Sequence, residues 1–411
     1  VNGEIESARG RQLSAPAGSA VSARLLIVLA SLTSLAPFGI DMYLSGFPEM
    51  AKQLETSASA IQLTLTAFLV GVAVGQLIFG PLSDRVGRLR PLIVGMILLV
   101  AASVAAAIAP TIVLLILARF VQGLSGAAGI VIGRAVISDL ATGKEAARAF
   151  NVLMLIGGIA PIVAPVIGSL LVGTVGWRGV LGVLAGYTAV AFAAVLVVVR
   201  ESHPQPSRKA EDNLLGGSLS PHRALSSRAF LAPTAAYVFG FAAMMAYISA
   251  SPFVYQVVIG MNEVQFGLSF GLNALGIAAA SAVSARLART RSSAALLGIG
   301  VWGELVGAVA SLVILITGAP LALLTISLFV AVSSVGFILG NATALALAAV
   351  RRVAGSGSAV LGAAQFIVAA AVSPIVGLGG EANALPMAIC MVASALIAVA
   401  GFLVAARVRS S

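Results

Sequence analysis

Long, unbroken apolar stretches separated by short polar breaks run through the whole chain. A helix needs roughly 20 predominantly apolar residues to cross a bilayer. Twelve such windows fit: 24–47, 59–82, 91–109, 111–137, 148–173 and 177–199, then 229–257, 264–287, 293–317, 319–349, 354–379 and 384–406. Spanning β-strands would alternate apolar and polar residues, which these runs do not. The pattern predicts an all-α polytopic membrane protein, its longer windows tilting or extending beyond the bilayer.

Composition agrees. Of 411 residues, 60% are hydrophobic and 9% charged, against about 25% charged in a soluble domain. The net charge of +10 does not indicate nucleic acid, because the basic residues lie in twos and threes between apolar runs, as topology signals do. Twenty Lys and Arg fall on the side of the termini, while only Lys52 and Arg178 fall on the other. By the positive-inside rule both termini are expected in the cytoplasm. Cys390 is the only cysteine, and His203 and His222 share one polar linker. No disulfide, cysteine cluster or buried metal site is expected.

That linker, 200–228, divides the windows six and six. The expected organisation is a tail 1–23, a six-helix bundle 24–199, the linker, a second bundle 229–406 and a tail 407–411, the bundles being parallel repeats around a central pathway.

Four places carry candidate chemistry. The loop between spans two and three reads Gly80-Pro81-Leu82-Ser83-Asp84-Arg85-Val86-Gly87-Arg88-Leu89-Arg90. Its glycines permit close backbone approach, and Asp84 suits a cation or a helix N-terminus. In span four, Leu115, Arg119, Gln122, Gly123 and Ala127 place a guanidinium about a third of the way into hydrocarbon. That costs at least ~2.5–3.5 kcal/mol on insertion scales unless the group is paired or hydrated. Two readings are open: Arg119 snorkels to the surface, or it faces an aqueous cavity with an acidic partner. The acidic candidate is Asp41, in the outer part of the first span and at comparable depth. Burial and a neighbouring cation act on a carboxyl in opposite senses, which leaves it able to gain and lose a proton. In span five, Pro161 and Pro165 weaken one face of the helix, and Gly157, Gly158 and Gly168 allow close packing.

These motifs, with the six-plus-six layout, resemble the major facilitator superfamily, whose loop aspartate and arginines form a cytoplasmic latch. The resemblance implies gating roles for Gly80, Asp84, Arg85, Gly87, Arg88, Pro161, Pro165 and Gly168, with Asp84 facing the start of span eleven near residue 354. It also implies proton coupling by Asp41 and Arg119. The span-five pattern is similar to that of the superfamily's exporters, although Ser169 replaces the usual final glycine. A narrower resemblance, to Bcr/CflA drug:proton antiporters of bicyclomycin and chloramphenicol resistance, rests on Asp41-Met42-Tyr43-Leu44, Ile137-Ser138-Asp139-Leu140, Gly176-Trp177-Arg178 and Ser251-Pro252-Phe253-Val254. Ser45 departs from it, standing where that family has proline.

An adaptable cavity for apolar compounds needs few polar anchors. The candidates are Tyr43, Asn151, Met154, Tyr237, Met244 and Tyr247, with Phe241, Met245 and Phe253 beside them. Glu304, in the middle of span nine, is an intramembrane charge without an assigned partner. No phosphate-binding loop occurs, so ATP hydrolysis is not expected. The sequence is read as a non-enzymatic, multi-pass plasma-membrane carrier that exports drug-like compounds, driven by the proton gradient and without a cofactor. Its partners are small molecules, protons and lipid, with no nucleic acid, and a monomer is expected. The alternative is a proton-linked carrier of a metabolite such as an amino acid or sugar.

Overall fold

The computed structural model describes residues 21–141, 143–202, 225–350 and 354–410. Most of the predicted tail, the middle of the linker with His203 and His222, and the side chains of Asn151 and Met154 lie outside the described residues. Eleven described helices are long and apolar enough to cross a membrane. One of them, Arg148–Val198, has 51 residues, about 77 Å of helix at 1.5 Å per residue against a hydrocarbon core of ~30 Å. It turns back at Gly176, whose φ of 66° and ψ of 175° are open only to glycine. The neighbours reverse with it: Gly168 abuts Met42, Trp177 donates to Gln53, and Tyr187 bonds Ser34. This helix is therefore spans five and six, and the chain crosses twelve times, in the two six-helix bundles expected.

The remaining spans follow the apolar windows closely. They are Ala58–Val86, Leu89–Ala107 and Ile112–Leu140, then Arg228–Phe253, Glu263–Leu287, Ser293–Thr317, Leu321–Ala349, Ala354–Val376 and Leu385–Ser410. Several starts are fixed by side-chain caps on orphan N–H groups. Ser57, Thr111 and Ser292 each accept from the residue three ahead, and Asn262 forms a full capping box with Gln265.

The first span differs from its window. Its helix Ala23–Asp41 is weakened by Pro37, stops at Asp41, and continues as a 3₁₀ turn Leu44–Gly46 and a short helix Phe47–Gln53. Asp41 thus lies at an internal break with twelve residues of span beyond it, not near the outer end of the first span.

Small residues set the helix spacing. In span two, Gly71 and Gly75 lie on the backbone of Phe120 and Leu124 in span four, where a Cβ would overlap main-chain atoms. This is the small-xxx-small contact that membrane helices use in place of a hydrophobic driving force. Large apolar side chains such as Ile27, Leu77, Val190, Val197 and Ile316 are exposed on the outside of the bundles, where lipid would meet them.

The bundles meet where span two packs on span eleven and span five on span eight. Across that seam Gln62 Nε2 donates to the Ser249 carbonyl at 3.1 Å, Ser373 Oγ to the Gln62 carbonyl at 3.3 Å, and Gln256 Nε2 to the Ser45 carbonyl at 3.1 Å. Phe47 and Phe253 bring their rings to 6.1 Å. All of these contacts lie in the half of the protein away from the termini, so the seam is closed at that end.

Candidate functional site

Arg119 is fully buried. Where the first helix stops, its last carbonyls have no intrahelical partner and carry the negative end of the helix dipole. Arg119 Nη2 donates to one of them, the Gly39 carbonyl, and Nη1 donates to Gln122 Oε1. The guanidinium plane is sandwiched between Tyr43, 4.2 Å to the ring centroid, and Phe68, 4.4 Å. Gln122 is held in turn by donating to Ser103 Oγ at 2.8 Å. A flat, delocalised cation tolerates such a site better than a compact ammonium does. Snorkelling is excluded, and in this conformation the side chain is closed off from outside solvent.

Asp41 is 4% exposed and its Oδ1 has no hydrogen-bond partner among the described residues. The expected pairing with Arg119 is not present: neither of the two described salt bridges involves Asp41 or Arg119. Both side chains belong to the same break, but Arg119 turns back to the helix end. Asp41 lies within electrostatic reach of Tyr247 in the opposite bundle. Tyr247 accepts from Asn273 Nδ2 at 2.6 Å and stacks on Phe270. The carboxyl therefore stands on the seam, against elements that must separate if that end opens.

The other candidates separate by depth. Tyr43 packs beneath Arg119 with its hydroxyl 3.1 Å from Thr64 Oγ1, and Met244 and Tyr247 are buried in the closed half. None of these three lines an open wall in this conformation. Tyr237, nearer the termini, is only partly buried and donates to Gln365 Oε1 of span eleven. Of the span-five residues, the Pro165 carbonyl and Ser169 face Gly267 of span eight, and Gly168 lies against the Met42 carbonyl beside Asp41. Gly267 leaves the room that Ser169 occupies, which accommodates the departure from the exporter pattern. The helix runs through Pro161 and Pro165 without interruption. Glu304 is buried with neither oxygen partnered among the described residues, beside Gly240 of span seven.

In the loop between spans two and three, Gly87 has φ 99°, a conformation that favours glycine. The close approach expected at Gly80 is absent, since a Cβ there would meet only Val131 at 3.8 Å. Arg88 is the organiser. It donates to Asp139 through Nε at 2.9 Å and through Nη2 at 3.3 Å, and to Ser83 and Asp84 through Nη1. Glu201 accepts from the Arg88 and Leu89 backbone N–H groups at 2.9 and 3.2 Å, capping span three with a carboxylate at its positive end. Burial works against the Arg88 charge, but the hydrogen bonds to Asp139 and Asp84 more than offset it and hold its pKa above the usual arginine value. Asp139 and Glu201 were not singled out as functional from the sequence, because their role exists only once the ends of spans three, four and six converge. Arg88→Ala leaves Asp139 without its cation, at a cost of about 1–3 kcal/mol for charged hydrogen bonds. The expected result is a lower thermal unfolding midpoint and faster proteolysis at the 200–228 linker; an unchanged midpoint and cleavage rate would refute this role.

Arg134 also went unnoticed in the sequence, although with every loop cation assigned, it and Arg119 are the only two of the 24 Lys and Arg left inside spans.

The profile of the Major Facilitator Superfamily matches residues 29–374. The chain is 36% identical over 379 residues to the uncharacterized MFS-type transporter YdgK of Bacillus subtilis, covering 91% of this chain and 93% of that protein. It is 30% identical over 262 residues to the bicyclomycin resistance protein homolog of Haemophilus influenzae, 64% of this chain and 65% of that one. With the multidrug resistance protein MdtL of Shewanella oneidensis it shares 29% over 252 residues, 61% and 63% of the two chains. Among solved structures, a bacterial homologue of the human lysosomal transporter Spinster superposes with a TM-score of 0.74 at 15% identity, covering 93% of this chain and 96% of that one. The D-xylose-proton symporter gives 0.72 at 15%, over 92% and 97%. Twelve crossings in two bundles, charges placed on the seam between them and the match along most of the chain lead to one conclusion: this protein belongs to the major facilitator superfamily, as a multi-pass membrane transporter and not an enzyme.

Proposed function

We propose that the protein exports small, largely apolar compounds of the chloramphenicol and bicyclomycin type across the bacterial plasma membrane in exchange for protons. Both termini face the cytoplasm, and the two bundles alternate access to a central site. The observation that carries this reading is the Asp41 carboxyl, buried at the break in the first span with no partner for Oδ1 among the described residues and within electrostatic reach of Tyr247 of the other bundle. A charge there is costly while the seam is closed and is readily hydrated when it opens. Protonation and opening are therefore linked, and a compound that favours the other state is driven against the proton. The names of the partial relatives, bicyclomycin resistance and multidrug resistance, support export, as does the exporter-like proline pattern of span five.

With the termini inside, a seam closed at the opposite end corresponds to the inward-facing state of the cycle, and the gate assigned to the cytoplasmic end is the latch around Asp84. Gly377 seats on Ser59 and Gln62 and Gly362 on Gln76. Continuing this antiparallel register brings residue 354, the start of span eleven, level with Asp84. A carboxylate at a helix N-terminus contributes roughly 0.3–1 kcal/mol, more when partly buried.

The test is uptake of radiolabelled chloramphenicol into proteoliposomes under an imposed pH gradient. We expect several-fold accumulation over protein-free vesicles, collapsed by a protonophore. Accumulation indifferent to the gradient would overturn proton exchange, and no accumulation at all would overturn drug export.

A further inference from the structure

We infer that the inner part of the pathway selects for an acceptor-rich end on its substrate, a carboxylate foremost, and rejects permanent cations. The inference rests on the export reading only for the pathway's purpose; the binding chemistry stands separately. Its centre is Arg134. Taking Arg119 as zero on the span-four helical wheel, at about 100° per residue, Gly129 and Gly133, which approach span one, lie near 300°. Gly123, Leu124 and Val131, which approach span two, average near 100°. Arg134 falls near 60°, on the Arg119 side and in the gap between those two spans, which opens on the pathway and not on lipid. Its side chain is exposed, yet it lies within electrostatic reach of Tyr237 on span seven of the opposite bundle.

The wall facing it carries the Tyr237–Gln365 hydrogen bond. Tyr237 donates its proton to Gln365 Oε1, and the Gln365 amide N–H groups have no partner among the described residues. Arg134 is in neither described salt bridge, and its five N–H donors have no hydrogen-bond partner among the described residues. Of the described carboxylates, Asp84, Asp139 and Glu201 gather around Arg88; Asp41, Glu49, Glu55, Glu263 and Glu381 lie in the half away from the termini; Glu304 is within the second bundle; and Glu145 is exposed in the first turn of span five. A guanidinium and an amide that keep free donors among the described residues, with no described carboxylate paired to them, match a carboxylate or nitro oxygen pair bidentately. They repel a quaternary ammonium, for which they offer a like charge in place of a counter-ion.

Binding, not transport, is the test, so that it stands whether or not proton-driven export is found. Purified protein is titrated by equilibrium dialysis with three naphthalenes of equal bulk: 2-naphthoate, 2-naphthamide and 2-naphthyltrimethylammonium. The expected order of affinity is carboxylate, then amide, then ammonium, with at least tenfold between the first and last. Arg134→Gln should weaken 2-naphthoate at least tenfold while leaving 2-naphthamide within twofold, and Arg134→Lys should restore part of the loss. Ammonium bound as tightly as carboxylate, 2-naphthoate affinity unchanged in Arg134→Gln, or no binding of any of the three would each overturn the inference. Equal weakening of 2-naphthoate and 2-naphthamide would assign Arg134 a structural role and overturn it as well.

Discussion

Replacing Asp41 by Asn is expected to abolish pH-gradient-driven accumulation, bringing chloramphenicol uptake into proteoliposomes down to the protein-free level, while substrate binding stays within a few-fold. The substitution keeps volume and polarity and removes only the exchangeable proton. Folding should survive, because Asp41 is in neither described salt bridge and its Oδ1 accepts no hydrogen bond among the described residues. The driving force lost is considerable. Each proton moved supplies ~2.3 kcal/mol per 100 mV of membrane potential and about 1.4 kcal/mol per pH unit. Without it the carrier only equilibrates its substrate. Exchange of labelled for unlabelled chloramphenicol in the absence of a gradient should therefore persist in Asp41→Asn. Gradient-driven accumulation at the wild-type level in this variant would remove Asp41 from the coupling mechanism.

Depth along a helix is legible in a sequence, whereas direction around it is read less surely. Counting residues put Asp41 and Arg119 at similar depths, and from that a pairing was expected. Arg119 turns to the Gly39 carbonyl instead, and Asp41 Oδ1 is left without a partner among the described residues. A backbone carbonyl freed by a helix ending early has no residue type to announce it. The apolar windows, by contrast, located the spans well, and the ninth, Ser293–Thr317, coincides with its window. Hydrophobic length is a local property that tertiary contacts do not alter. The break between the windows 148–173 and 177–199 brackets Gly176, but its positive φ is not legible there. The Arg88 network shows the same limit from the other side. The loop motif was recognisable, while Asp139 and Glu201, 51 and 113 residues further along, became its partners only through the fold.

Arg119 offers the second large effect, and a way to separate the observed arrangement from an ion pair with Asp41. Arg119→Met strips the Gly39 carbonyl and Gln122 Oε1 of their donor, leaving two buried acceptors at about 1–3 kcal/mol each, and removes a cation desolvated between two rings, worth about 2 kcal/mol or more. A loss of several kcal/mol is a large share of any protein's stability. Low yield and a strongly reduced unfolding midpoint are expected. Arg119→Lys should recover only part of this, because an ammonium cannot lie flat between Tyr43 and Phe68 while reaching both acceptors. The double variant then decides. If Asp41 were the counter-ion, Arg119→Met would strand a buried carboxylate, and adding Asp41→Asn would relieve the strain. With Arg119 held by the helix end, the two substitutions should combine additively, and Asp41→Asn should leave the unfolding midpoint of Arg119→Met where it was. Recovery of stability in the double variant would mean that the guanidinium and the carboxyl meet during the transport cycle, and that the break in the first span is not what holds Arg119.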